Sequence, residues 1–251
     1  MPQPLLPFPP GCLQGTLKRR IKRFIIECDI AGQHYVAHSN NSGSMLGLTR
    51  PGTRVYISPA ANPARKLAYT LELVGLPAAV SAFSAPFTDA TLWVGVNTMS
   101  PNRLLKAAFE AGLLPWAKGY TQFKAEAKRG QSRLDGLLTG PGLVPLWVEC
   151  KNVTLCEGGE AAFPDAITER GQKHVREMMD IVASGERAAF FYCVQRADAA
   201  CFAPADYIDP AYARLFFASL AAGVEAHPHL VRVGLAGLDL GPELPLAAQH
   251  A

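Results

Sequence analysis

The pattern of apolar and polar residues changes once along the chain, near Leu92, and this change limits the folds that the chain can adopt. Before it, segments that alternate apolar with polar side chains or are rich in β-forming residues are separated by Gly, Pro and Asn. These segments are Thr16–Ile30, Gln33–His38, Arg54–Ser58 and Leu67–Val74. No helical period of useful length appears there, so we expect a small closed β-barrel of the OB type.

After Leu92 the pattern predicts helices and strands in alternation, and Ser100 before Pro101 is typical of a helix start with Ser100 as the N-cap. The predicted helices are Pro101–Ala111, Asp165–Ser184 and Pro210–Ala222, and the predicted strands are Thr121–Ala127, Arg133–Leu138, Leu146–Lys151, Ala188–Val194 and Val224–Val233. The order αβββαβ followed by αβ indicates a mixed sheet flanked by helices, and hence an α/β (α+β) fold. We expect a basic barrel domain over 1–80 and a larger α/β domain over 81–251, with the crossing between them in residues 75–90.

Composition excludes several classes of protein. Of the 251 residues, 49% are hydrophobic and 18% charged, which is enough apolar material for a substantial core. The longest uncharged run, from Leu73 to Thr88, is interrupted by Pro77 and Pro86 and is too short to span a bilayer. No segment resembles a signal peptide, so we expect a cytoplasmic protein that does not associate with membranes.

The six cysteines show no CxxC spacing, and several stand in apolar runs. This arrangement favours buried, reduced thiols over disulfides, and it disfavours a zinc site.

Positive charge is concentrated at the N-terminal end of the chain. Residues 1–75 hold nine Lys and Arg against three Asp and Glu, whereas the remainder holds fifteen against eighteen. We therefore predict that the barrel binds DNA, since rows of cations neutralise phosphates. The predicted DNA-binding residues are Lys18, Arg19, Arg20, Lys22, Arg23, Arg65 and Lys66, with Tyr35, Tyr56 and Tyr69 as candidate base-stacking rings.

On a regular strand Lys18, Arg20 and Lys22 would share one face. The alternative interpretation is an edge strand that its charges protect from unwanted pairing.

The candidate catalytic residues lie on two consecutive predicted strands. Asp135 lies on the first, and Glu149 and Lys151 share a face of the second, because alternate residues of a strand point the same way. Two carboxylates brought together repel unless a proton or a cation separates them, and hard oxygen ligands suit Mg²⁺ or Mn²⁺. We predict Asp135 and Glu149 as metal ligands and Lys151 as the catalytic cation of phosphodiester hydrolysis. Alternatively, Asp135 forms an ion pair with Arg133 or Lys151.

The helix predicted after Asp165 holds further candidates. Gln172 is a candidate catalytic residue and Lys173 a candidate DNA contact, whereas His174 is expected to be structural or to contact phosphate. Gly171 costs stability within a helix, which suggests close approach by a neighbour or a ligand. Asp165 is expected to cap this helix.

An Asp followed about fourteen residues later by Glu-x-Lys, on an αβββαβ chain, resembles the PD-(D/E)xK nuclease superfamily. Over most of its length the chain also resembles the sugar fermentation stimulation protein A family of bacteria and archaea. The segments that carry this resemblance are Gly15–Phe24, Asn41–Met45, Val94–Thr98, Ser132–Asp135, Val148–Leu155 and Phe163–His174. The resemblance implies a DNA-binding protein with an N-terminal barrel, a nuclease-like second domain and a regulatory role in sugar (maltose) utilisation.

The chain departs from that family at Ala107, where many relatives have a helical Glu that could be an extra metal ligand; Glu110, one turn on, is a candidate substitute. If the protein is an enzyme, we expect a Mg²⁺-dependent DNA endo- or exonuclease. A DNA-binding regulator that keeps the fold without cleaving is the alternative, and a small-ligand protein using the Asn41–Ser44 turn is a third. The sequence sets no oligomeric state, and a homodimer is one option that it leaves open.

Overall fold

Five strands close into the barrel that the sequence predicts at the N-terminal end. The computed structural model describes residues 3–77, 91–130 and 132–247, so the division at residue 80 and most of the crossing at 75–90 lie outside the described residues. The first seven strands are β1 (Leu6–Pro7), β2 (Leu13–Ile21), β3 (Ile25–Ile30), β4 (Gln33–His38), β5 (Arg54–Pro59), β6 (Tyr69–Pro77) and β7 (Thr91–Gly95). Strands β2 to β6 form the barrel in the order β4-β3-β2-β5-β6, and a parallel pairing of β4 with β6 closes it.

The barrel is filled by the side chains that alternation directs inward. Leu17, Ile26, Val55, Ile57 and Leu71 are all buried in one cluster. The predicted Ala31-Gly32 turn joins β3 to β4, with φ values of 52° and 81° that match a tight hairpin turn.

The predicted row of cations on β2 is not regular. Lys18 is the extra residue of a bulge, since Leu17 pairs with Cys28 and Arg19 with Glu27. Lys22 and Arg23 lie beyond the strand, in the hairpin turn with φ values of 47° and 66°. The prediction that Lys18, Arg20 and Lys22 line one face is therefore wrong, because the bulge and the turn interrupt the alternation.

Four cations of this segment have partners within the protein, and one of them is Arg23, whose Nη1 donates to the carbonyl of Ser42 at 3.2 Å. Lys18 pairs with Asp29 at 3.1 Å and Arg19 with Glu27. Arg20 donates to backbone carbonyls, from Nη2 to Asn41 and Gly43 at 2.7 and 3.0 Å, from Nη1 to Ser44 at 3.0 Å and from Nε to Arg23 at 3.0 Å. Arg20 thus holds the polar turn at 41–44 against the β2–β3 hairpin.

Tyr56 is not available to stack on a base. Its ring is buried beside Phe8 and Trp93, and its hydroxyl donates to the carbonyl of Leu235 at 3.0 Å. Tyr35 and Tyr69 pack edge to face against each other, with ring centroids 5.6 Å apart. The stacking prediction is therefore wrong for Tyr56, because the larger domain covers this side of the barrel.

The larger domain is the mixed sheet flanked by helices that the sequence predicts. Its strands are β8 (Gln122–Arg129), β9 (Ser132–Thr139), β10 (Leu146–Val153), β11 (Leu155–Glu157), β12 (Glu160–Phe163), β13 (Arg187–Val194), β14 (Cys201–Pro204), β15 (Glu225–Gly234) and β16 (Gly237–Glu243), and its helices are α1 (Ser100–Glu110), α2 (Glu169–Ala183) and α3 (Pro210–Ala221). The main sheet has the order β1-β16-β15-β13-β10-β9-β8, with β10, β13 and β15 parallel. Strands β11, β12 and β14 form a separate small sheet that was not predicted.

Helices cover both faces of the main sheet. Leu104 and Leu105 of α1 pack with Phe191 on one face, while Val175 and Met178 of α2 pack with other apolar residues on the opposite face. The central strand β13 is apolar or aromatic from Ala188 to Val194, because both of its faces are buried there. None of the helices in the described ranges is long and apolar enough to cross a membrane.

Two predicted helix caps are wrong. Helix α2 begins at Glu169, and the cap is Thr168, whose Oγ1 accepts from the Gly171 N–H at 3.0 Å. Ser100 is the first residue of α1 rather than its cap, and the capping position is Met99. The six cysteines are free, but only Cys28 and Cys193 are buried as expected, and the other four are partly exposed.

Asp165, predicted as a cap, instead joins the two domains. Its Oδ2 accepts from the Met45 N–H at 2.8 Å and from the Ser44 hydroxyl at 3.1 Å. The 41–45 segment is therefore held by Arg20 on the barrel side and by Asp165 on the other.

We expect Arg20→Met to destabilise the protein by about 1–3 kcal/mol, because four carbonyls lose a charged donor. Lys22→Met is the matched control, since the exposed Lys22 side chain has no hydrogen bond or ion pair within the described residues; it should change stability by less than about 0.5 kcal/mol. Urea unfolding of both variants measures the difference. Equal effects would show that Arg20 is as free as Lys22.

Candidate active site

The site begins where β9 and β10 separate. The two strands pair from Leu138 with Leu146 to Gly136 with Val148, and the pairing ends there. One residue further, Oδ2 of Asp135 accepts from the Cys150 N–H at 2.7 Å. The carboxylate thus takes the place that a backbone carbonyl would hold in a continued ladder.

Asp135 has a second partner on α1. Its Oδ1 accepts from Nδ2 of Asn102 at 2.6 Å, so the carboxylate bridges a helix and a strand. The predicted alternative of an ion pair is not what the structure shows: Arg133 lies near Glu126, and both hydrogen bonds of Asp135 come from neutral groups.

Glu149 and Lys151 share a face of β10, as strand alternation predicts. Nζ of Lys151 donates to Oε1 of Glu149 at 2.9 Å, and both residues are buried, with 8% and 5% exposure. Cys150 points to the opposite face, where it packs against the cluster that contains Val148 and Cys193.

His174 of α2 completes the cluster. Its Nδ1 contacts Oε1 of Glu149 and lies 3.2 Å from Nζ of Lys151. Within the described residues, both polar contacts of Glu149 are therefore made by Oε1.

The two carboxyl groups differ in their electrostatics. Burial, together with the negative charge of Glu149, raises the pKa of Asp135 to about 6. Burial alone would also raise the pKa of Glu149, but Lys151 and His174 outweigh it and lower that pKa to about 2. The two carboxyl groups also differ in their partners: Glu149 contacts Lys151 and His174, whereas Asp135 lacks a cationic hydrogen-bond partner among the described residues.

Other predicted residues lie away from this cluster. Nε2 of Gln172 donates to both carboxylate oxygens of Asp209, at 3.0 and 3.1 Å, so Gln172 ties α2 to the start of α3. Lys173 is exposed and lies 3.3 Å from Glu177. Glu110 is exposed at the end of α1, where its carboxylate lies 3.7 Å from Nζ of Lys106.

The sequence interpretation missed one residue of the site, Asn102, and it named His174 without placing it beside Glu149. Asn102 follows the Ser100-Pro101 helix start, and no local pattern shows that its amide reaches Asp135. The sequence favours a structural or phosphate-contacting role for His174, and its contact with Glu149 gives it a place in the site. A Cβ at Gly171 would lie 2.6 Å from Cγ2 of Thr168, so the predicted close neighbour is the capping threonine.

The donor set is compatible with a hard cation and not with zinc. Within the described residues, no group of three or more His, Cys, Asp or Glu side chains is arranged to hold a metal. One or two carboxylates are the protein ligands with which Mg²⁺ is commonly bound, since it keeps several waters and takes further ligands from phosphates.

A closed OB barrel joined to a PD-(D/E)xK nuclease-like sheet defines the class of this protein. The chain matches two family models, "SfsA N-terminal OB domain" over residues 19–80 and "Sugar fermentation stimulation protein RE domain" over residues 99–237. It therefore belongs to the sugar fermentation stimulation protein family.

Relatives match along nearly the whole chain. A sugar fermentation stimulation protein homolog of Maridesulfovibrio salexigens is 52% identical over 250 residues, covering 99% of both chains. A homolog of Lawsonia intracellularis is 47% identical over 262 residues, covering 99% of this chain and 100% of the relative. The structure of Pyrococcus furiosus SfsA in complex with Ca²⁺ superposes with a TM-score of 0.85 at 26% identity, covering 98% of this chain and 100% of that one.

We expect Asp135→Asn to raise stability at neutral pH in the absence of divalent metal. The folded protein holds the Asp135 proton up to about pH 6, whereas the unfolded chain releases it near the ordinary value of 3.8. Stability therefore falls as pH rises between these values, and above them the variant should be more stable by about 1–3 kcal/mol. The side-chain amide of Asn102 can rotate so that its oxygen accepts a hydrogen bond from the amide introduced at position 135.

Urea unfolding in EDTA at pH 4 and pH 7.5 tests this, with the exposed Glu126→Gln as the control. The advantage of Asp135→Asn should shrink at pH 4, and Glu126→Gln should show none. A loss of stability at pH 7.5 would instead make Asp135 a structural acceptor.

Proposed function

We propose that this protein binds DNA and carries a phosphodiester hydrolase site of the nuclease type, in which Asp135 and Glu149 hold Mg²⁺ or Mn²⁺. The observation that carries the proposal is that the partly buried Asp135 and the buried Glu149 lie where two strands separate, near enough for the charge of Glu149 to raise the pKa of Asp135, with the amine of Lys151 on Glu149. A buried carboxylate without a cationic hydrogen-bond partner is costly, and a bound cation would remove that cost.

Each residue of the site has a separate role in this proposal. Asp135 is held by Asn102 and the Cys150 N–H, which fix its orientation without neutralising it. Oε1 of Glu149 is engaged by Lys151 and His174, which leaves Oε2 as the atom for a further ligand. Lys151 presents a fixed positive charge that can stabilise the negative charge developing on a phosphate, or orient an attacking water.

A bound divalent ion would supply Lewis-acid activation of the phosphate and of the attacking water. The Pyrococcus furiosus relative in complex with Ca²⁺ supports a divalent ion in this family. Mg²⁺ rather than Ca²⁺ is our choice, since two carboxylates plus substrate oxygens and waters suit the smaller ion.

A DNA-binding regulator that keeps the fold but does not cleave is the second candidate. The observation in its favour is that α1 offers the neutral Asn102 to Asp135. The family resemblance would place an acid on the same helix at position 107, where this chain has alanine. In either case, a role in regulating sugar (maltose) utilisation is proposed from the family resemblance alone.

The proposed DNA surface rests on the predicted cations that face solvent. These are Lys22 and Arg23 at the hairpin tip, Lys66 in the β5–β6 connection and Lys173 on α2, with the half-buried Arg65 beside Lys66. Lys18, Arg19 and Arg20 also carry positive charge, but they face partners in the protein. Arg23, Arg65 and Lys173 have partners as well, at Ser42, Thr70 and Glu177, so that Lys22 and Lys66 are the members with no hydrogen bond or ion pair within the described residues.

We expect Mg²⁺ or Mn²⁺ to raise the melting temperature of the wild type by a few degrees, since a ligand at 100 times its Kd stabilises by about 2.7 kcal/mol. Asp135→Asn should abolish this shift, because an amide cannot replace the charge that holds a hard cation.

Lys151→Ala separates metal binding from catalysis. It should keep the metal shift and lose any divalent-dependent cleavage of a DNA substrate, because its proposed role lies with the water and the transition state. A wild type that shows no metal shift would refute the metal site, and a shift without cleavage would favour the regulator.

Neutralising Lys22 and Lys66 as Gln should weaken DNA binding and flatten its salt dependence. Each lost phosphate contact lowers the slope of log K against log salt by about 0.9 for duplex DNA. The control is the pair Lys118→Gln and Arg214→Gln, which removes the same charge from exposed positions of the larger domain. Equal slopes for both double variants would refute the barrel surface.

A further inference from the structure

The tip of the β2–β3 hairpin has a composition that the turn itself does not require. The Phe24 N–H donates to the carbonyl of Ile21 at 3.2 Å, which encloses Lys22 and Arg23 as the central pair of the turn. Both have φ in the left-handed region, at 47° and 66°, where Asn and Gly are the favoured residues. The chain places two long cations at positions where their backbone conformation is unfavourable.

Phe24 follows them with its ring held in place and partly open to solvent. The ring is 48% exposed and stacks on His38, with centroids 6.4 Å apart and planes 13° from parallel. The carbonyl of Phe24 accepts from the Ser39 N–H at 2.8 Å, which anchors the backbone. His38 therefore lies beside the ring in an offset, near-parallel arrangement, and about half of the Phe24 side chain stays open to solvent.

The same surface continues onto the β5–β6 connection. His38 pairs with Thr70 across the strands that close the barrel. Arg65 donates from Nη1 to Oγ1 of Thr70 at 3.0 Å and from Nη2 to the carbonyl of Tyr69 at 3.2 Å. This places the Arg65 guanidinium beside the strand that adjoins His38, with the exposed Lys66 next in sequence.

We call these residues the stacking surface: Lys22, Arg23, Phe24, His38, Arg65 and Lys66. It combines cations from two loops with one flat aromatic pair between them. The loops join the first barrel strand to the second and the fourth to the fifth, the two connections with which OB barrels commonly bind oligonucleotides.

We propose that the stacking surface binds unpaired nucleotides, with a base on the open face of Phe24 and the phosphates along the cations. This rests on the proposed DNA binding and specifies its substrate as single-stranded DNA. Cations alone would bind duplex and single-stranded DNA alike, because both present phosphates. A flat ring adds energy only for a base whose own face is free, and in a duplex the base faces are stacked on one another.

The test is fluorescence anisotropy in EDTA with a labelled thymidine oligonucleotide and a duplex of equal length. Phe24→Ala should weaken binding of the single strand about 5- to 100-fold, the loss typical of one stacked base, and change duplex binding less than twofold. Phe24→Tyr should restore binding, whereas Phe24→Leu should not, because only a ring can stack. Tyr207→Ala removes an exposed ring of the larger domain, 57% exposed, and should change nothing.

The salt slope separates stacking from charge. Phe24→Ala should keep the wild-type slope, because it removes no charge, while the Lys22→Gln and Lys66→Gln pair should flatten it. Single-strand binding by Phe24→Ala equal to that of the wild type, or equal losses on single strand and duplex, would overturn the proposal. A wild type that binds duplex as tightly as single strand would overturn it too, while leaving the proposed DNA binding in place; a wild type that binds neither would remove the proposed DNA binding itself.

Discussion

Burial of ionisable groups at the end of an apolar sheet is the constraint on which the rest of this structure depends. Glu149 and Lys151 are almost fully enclosed, and an uncompensated charge in such surroundings is expensive. The fold meets this requirement with a shared amine, an imidazole from α2 and an amide from α1. Helix positions, the end of the β9–β10 ladder and the orientation of Asp135 all follow from placing those partners.

One short stretch of chain carries several of these contacts. Asp165 holds the 41–45 turn of the barrel, Thr168 caps α2, Gln172 binds Asp209 at the start of α3, and His174 reaches Glu149. These four contacts fall within ten residues. The segment thus connects the barrel, both helices of one sheet face and the carboxylates. These contacts, rather than exposure to solvent, explain why so many of its residues are polar.

The parts of the fold that the sequence predicts are those set by local periodicity. The shared face of Glu149 and Lys151 follows from strand alternation, and the barrel strands follow from turn residues and alternation together. Strands of three or four residues, such as β11 and β14, are too short to show a period. The bulge at Lys18, the burial of Tyr56 and the reach of Asn102 and His174 depend on how elements pack against each other, and no local pattern encodes that.

The barrel sheet and the main sheet are each extended by a strand that lies outside the barrel strands β2 to β6 in the sequence. Strand β1 precedes the barrel yet pairs with β16 at the edge of the larger sheet, and β7 follows the barrel strands yet extends β6. The Gly95 N–H of β7 in turn donates to the carbonyl of Gln195 in the larger domain, at 3.1 Å. Cutting the chain before β7, or removing the residues ahead of β2, would uncover hydrogen-bonding edges that each half now covers for the other. Exposed edges are templates for pairing between molecules, so separated halves would be prone to aggregation in a way that the intact chain is not.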